Sequence, residues 1–165
     1  MDQSAYPTAR AMAAIFDQHR SSVRKRLLEF LGTISREDFV RPVPEAAGKS
    51  IRDILVHSVS ASGFWISLLQ NRGHDRLDPA SYPNIEAVLP VIEEVSDRVH
   101  HVLTNAEEAW FVRKAVFSLP SSKTMEELVP AWVAVHMLTH EYHHKGQIVT
   151  IARMMGYEPP ETDFL

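Results

Sequence analysis

The sequence predicts an all-α fold, an antiparallel four-helix bundle with a long connection between its first and second helices. Three observations carry this expectation. Apolar residues recur at three- and four-residue intervals in four separate stretches, the period that keeps side chains on one face of a helix. Strand-like alternation is nearly absent, and most glycines and prolines lie between the periodic stretches. At 165 residues and 45% hydrophobic content, the chain suits one domain spanning 1–165 with a substantial core.

Helix one is expected from Tyr6 to Leu31, with Met12, Phe16, Val23, Leu27 and Phe30 on its inner face and His19 within that stripe. Gly32 to Lys49, which includes "RPVPEAAGKS", reads as the connection. Ser50 and Asp53 form a helix-opening cap for the second helix, which carries Ile51, Ile54, Leu55, Trp65, Ile66 and Leu69. His57 lies one turn beyond Asp53. "NRGHDRLDPASYPN" ends that helix, and the third carries Ile85, Val88, Ile92, Val95, Val99 and Val102, with Pro90 kinking it or delaying its start. Residues 111–122, "FVRKAVFSLPSS", are too short a β-branched and aromatic run to assign and are left irregular. Thr124 and Glu127 make a Thr-x-x-Glu box for a last helix reaching Met155, bent near its start by Pro130 and closed by Gly156.

Bulk composition excludes several function classes. Seventeen basic residues against 21 acidic ones give a net charge of -4, with no basic run longer than Arg24 to Arg26, so phosphate-driven nucleic-acid binding is not expected. The absence of cysteine removes disulfides, thiolate ligands and a cysteine nucleophile. Neither a signal peptide nor an apolar run of the roughly 20 residues a membrane span needs is seen. A soluble, cytoplasmic protein is the expectation.

Nine histidines are present, and their clustering in "HEYHHKGQ", His140 to Gln147, directs attention to metals. Residues four apart on a helix differ by about 40° in direction and about 6 Å in height, so His140 and His144 can face one ion. His136 extends the line and His143 offers another pairing, so spacing alone leaves three pairings open. The stripe Val133, His136, His140, Gln147, Ile148 and Ile151 is expected to turn inward, and His57 can supply a third ligand from across the bundle.

His-Glu-x-x-His is also the zinc-protease pattern, with Glu141 as base. Only 21 residues follow His144, none of them histidine, and Gly146 and Thr150 stand where the elongated pattern requires other spacings. Proteolysis is therefore not expected. Glu141 points about 100° away from His140 and reads as a surface group or a neighbour of the site. Gly146 suggests close helix packing or room beside a metal, packing being the expected use, and Gln147 a buried connector or a group orienting a ligand. Trp65, Trp110 and Trp132 read as core or dimer packing.

"HEYHHKGQIVTIARMMGYEPPETDFL" and "KSIRDILVHSVSASGFW" resemble the last and second helices of the DinB/YfiT-like family. The resemblance covers most of the chain in helix order and spacing. It implies a four-helix bundle, a homodimer, and a divalent metal held by His57, His140 and His144, leaving a coordination position open. Zn, Ni, Fe and Mn all suit imidazole ligands. The wider group includes transferases and isomerases that act on a small-molecule substrate with a low-molecular-weight thiol such as bacillithiol or mycothiol, alongside many members without an assigned reaction. One departure is "SVSASG", Ser58 to Gly63, where some relatives carry an acid about a turn after the second-helix histidine. A metal-dependent thiol enzyme is the first expectation. A non-catalytic, stress-related protein that binds a metal or small ligand is the second.

Overall fold

A computed structural model describes residues 7–119 and 124–161. Six α-helices and one β-hairpin follow in the order α1 (Ala9–Leu31), α2 (Arg36–Val40), α3 (Ile51–Leu69), α4 (Ile85–Asn105), α5 (Glu108–Val112), β1 (Ala115–Leu119), β2 (Thr124–Leu128) and α6 (Pro130–Met154). The four long helices pack in a ring, α1 against α4 and α6, and α3 against the same two. The expected start of helix one at Tyr6 and the last residues of the "PPETDFL" tail lie outside the described residues.

α3 begins as its sequence predicts. Ser50 Oγ accepts the Asp53 N–H at 3.1 Å and Asp53 Oδ2 accepts the Ser50 N–H at 3.0 Å, so two otherwise orphaned donors are satisfied reciprocally. This cap fixes the phase of the helix and hence the direction of His57, two turns in. The first turn of α1 borrows its anion from elsewhere: Glu108 on α5 accepts the Ala9 and Arg10 N–H groups at 2.7 and 3.0 Å.

Several expectations need correction. Gly32 to Lys49 is not a plain loop, because α2 and a 3-10 turn at Pro44–Ala46 fold within it and bury Phe39 and Val43. Thr124 is no helix cap. It lies in β2, which pairs antiparallel with β1 in the register Ala115↔Leu128 to Leu119↔Thr124, so the segment assigned as irregular contains a strand. Phe111 and Val112, which open that segment, close α5 instead. α6 starts at Pro130, where a missing N–H and fixed φ suit the first helical position; the proline begins the helix instead of bending it. Pro90 does not delay α4, which begins at Ile85 and runs through it.

On α1, Val23, Leu27 and Phe30 face the core as expected, but nearer its start the inner positions belong to Ala13, Asp17 and Arg20 instead of Phe16. Phe16 is 41% exposed, whereas Asp17 and Arg20 are each only 2% exposed. Their charges explain the choice. Asp17 Oδ1 accepts from Arg20 Nε and Nη2 at 3.0 and 2.6 Å, and Asp17 Oδ2 lies 2.6 Å from His100 Nδ1 on α4, so the buried charges are paired.

Candidate metal centre

α3 and α6 make an extensive helix contact, and the three histidines meet along it. One ring nitrogen from each of His57, His140 and His144 lies within 4.8 Å of the others. His140 Nε2 and His144 Nε2 are 3.2 Å apart, and the His57 ring centroid is 5.3 and 4.7 Å from those of His140 and His144. Three nitrogens about 2.0–2.1 Å from a tetrahedral ion stand about 3.3–3.4 Å from one another. The spacing of the α6 pair already lies close to that range.

Gln147 decides the tautomer of one ligand. Its Oε1 is 2.7 Å from His144 Nδ1, and a carboxamide oxygen only accepts, so Nδ1 carries the proton and Nε2 presents its lone pair toward His140. Burial, with the neighbouring His144, His57, His136 and His143 charges, lowers the His140 pKa to about 4. Burial, followed by His144, Arg76 and Lys49, also lowers that of His57. Burial lowers that of His144, against the hydrogen bond from Gln147. All three rings therefore favour the neutral form that binds metal. The donor set fits a divalent ion of the imidazole-preferring kind.

The other singled-out residues separate into distinct environments. His136 is exposed and packs edge-on to Trp65 at 4.9 Å, with its ring 5.8 Å from that of His140. His143 is exposed beside His144 at 5.0 Å. His19 is not part of the three-ring group, and its Nδ1 lies 2.5 Å from the Tyr142 hydroxyl. The expected inward turn of His136 and Gln147 is therefore corrected: both are exposed, because Met137 and Ile148 occupy the core-facing line. Trp132, expected in packing, is 74% exposed in the chain.

Glu141 is neither a free surface group nor available as a base. Its carboxylate accepts from Arg24 Nε and Nη2 at 2.8 and 2.5 Å, and Arg20 Nη1 lies 3.8 Å away. The 100° step along α6 that points His140 at α3 points Glu141 at α1. No carboxylate stands with the three imidazoles among the described residues. Gly146 is not a close-packing glycine, since an added Cβ there meets nothing within 4 Å. The close approach belongs to Gly63, where a Cβ would come within 2.6 Å of His74 Cε1.

The sequence matches the DinB family profile over residues 1–165, the whole chain. The chain belongs to the DinB family. No curated protein matches it. Family membership and the convergence of the three imidazoles are independent observations, one drawn from the sequence as a whole and the other from the packing of α3 on α6. Among the described residues no helix is long and apolar enough to cross a membrane.

Proposed function

We propose that this DinB-family protein is a metalloenzyme in which His57, His140 and His144 hold a divalent ion and that it transfers or isomerises a small-molecule substrate with a low-molecular-weight thiol. The observation that carries the reading is the convergence of three neutral imidazoles, with Gln147 holding His144 in the metal-binding tautomer. Bound there, Zn, Ni, Fe or Mn supplies Lewis acidity to a thiol or water at the open face of a three-ligand site. The chain's own part is to keep the three nitrogens unprotonated, to orient them and to leave that face clear. Gly146 lines the cleft beside His144 and adds no side chain to it.

A non-catalytic metal-binding role is the second reading, and "SVSASG" favours it. Ser58, Ser60 and Ser62 are buried after His57, so the chain offers no acid there to take a proton. Elemental analysis of protein purified without added metal tests the shared premise: the native chain carries stoichiometric metal, and a His140→Ala, His144→Ala double variant that keeps it refutes both readings. Metal-dependent turnover of a thiol then separates the enzyme from the binding protein.

The reading includes an antiparallel bundle forming a single domain over 1–165, working as a cytoplasmic homodimer. Ile15 and Phe16 on α1 and Trp132 and Val135 on α6 support a second copy, being large apolar side chains left exposed on two helices that pack together. Sedimentation velocity of Trp132→Glu against the unaltered chain tests it. A monomer in both removes the dimer.

A further inference from the structure

The three-histidine centre opens on a cleft of about 1280 Å³, ample for a small metabolite. Its far wall comes from the two connections that flank α3, and these bring Lys49 and Arg76 to the same cleft as His57 and His144. Both cations sit on backbone that is held in place. Lys49 closes a bridge with Val43, whose N–H donates to the Lys49 carbonyl at 3.1 Å, and directly precedes the buried cap Ser50. Arg76 precedes Leu77, whose N–H donates to Ser60 Oγ on α3 at 3.1 Å, and its connection is wedged further by His74 against Gly63.

The charged groups around this cleft divide into engaged and free. Arg52 is engaged with Asp53 at 3.3 Å, Asp53 with the cap of α3, and Asp78 with the Ala80 N–H at 3.0 Å. Lys49 and Arg76 make no side-chain ion pair or hydrogen bond among the described residues, and Glu45 is the single acid of the cleft in the same condition. Lys49 and Arg76 are thus cations without a paired anion on the wall of the cleft, with Glu45 the one unengaged acid there among the described residues.

We propose that Lys49 and Arg76 form an anion subsite, so that the molecule taken up by the cleft carries a carboxylate or phosphate at one end and presents its other end to the three histidines. The proposal rests on the metal-centre reading for its second half only. Guanidinium and ammonium groups recognise both anions, Arg76 through paired parallel hydrogen bonds and Lys49 as a compact charge.

Calorimetric titration of the full metal-loaded chain with succinate, with inorganic phosphate and with neutral succinamide tests it. At least one anion is expected to bind saturably, succinamide not to bind, and added salt to weaken the complex. The tighter anion identifies the group recognised. A Lys49→Gln, Arg76→Gln double variant should lose about tenfold or more in affinity, with metal content and melting temperature unchanged because both side chains are exposed. Arg76→Glu should lose binding as well. Failure of both anions to bind, or equal affinity in the double variant, overturns the subsite, the latter showing that the anion sits on the metal alone. A chain that carries no metal but still loses anion binding with these substitutions refutes the metal centre and leaves the subsite standing.

Discussion

The Gln147 carboxamide oxygen lies 2.7 Å from His144 Nδ1, one turn along α6. This contact fixes which nitrogen of His144 faces His57 and His140. Outer hydrogen bonds of this kind set ligand orientation and basicity, and their loss typically costs about 10–100-fold in metal affinity. Gln147→Leu is expected to fall in that range, and Gln147→Glu, which still accepts from Nδ1–H, to retain most of the affinity. Chelator competition measures both. Equal affinity in Gln147→Leu and the unaltered chain would remove Gln147 from the site.

The histidine spacing on α6 was readable because a helix converts sequence separation directly into direction. That holds for His140 and His144, and for Glu141, whose step of one residue turns it toward α1. The cap at Ser50 and Asp53 was readable for the same local reason. The strand pair was not, since five-residue strands have little periodicity and their pairing is set by contact across the ladder instead of by spacing along the chain. Nor was the burial of Asp17 and Arg20 in place of Phe16 on α1. Asp17 and Arg20 pair locally, three residues apart, but their other partners, His100 on α4 and Glu141 on α6, are distant in sequence. Lys49 and Arg76 sit on connections, where no repeat tells which side chains will meet.

The Arg24–Glu141 pair joins α1 to α6 through two hydrogen bonds, and neither side chain is well exposed. Arg24 Nη1 also donates to Ser96 on α4, so this α1 guanidinium is held by two other helices. Removing one partner from such a pair strands the other's charge. Glu141→Ala is expected to lower unfolding free energy by about 2–4 kcal/mol, with the metal content of the folded fraction unchanged. Urea denaturation and elemental analysis make the test. Loss of metal without loss of stability would instead return Glu141 to the metal centre.

The two glycines predict opposite outcomes. Gly146→Ala fills open space and replaces the residue least suited to a helix interior among those without a ring constraint, so stability should rise by about 0.5–1 kcal/mol. Gly63→Ala puts a methyl group against the His74 ring, with Val95 close behind at 3.4 Å, and should destabilise by about 1–3 kcal/mol as the connection carrying Arg76 is displaced. Thermal unfolding of the two variants distinguishes them in sign. A stabilised Gly63→Ala would mean that the His74 contact is not maintained in solution.

The metal-free protein should lose stability as pH falls from about 6.5 toward 4. Burial, the largest cause, holds His140 to about 4 in the fold, and the pKa values of His57 and His144 are lowered in the same direction. In the unfolded chain these rings titrate near 6.5. Between the two values the unfolded state binds protons that the folded state refuses, so the equilibrium shifts toward unfolding as pH drops, and the stabilisation is complete above the unfolded pKa. Asp38 and Glu108, held low by hydrogen bonds from the Tyr157 hydroxyl and the Arg10 amide, act in a more acidic window and do not produce this slope. Urea unfolding of the metal-free chain from pH 8 to 4 should show the decline, and His140→Gln, which cannot take up the proton in either state, should flatten it. A slope unaltered by that substitution would place the acid sensitivity elsewhere in the fold.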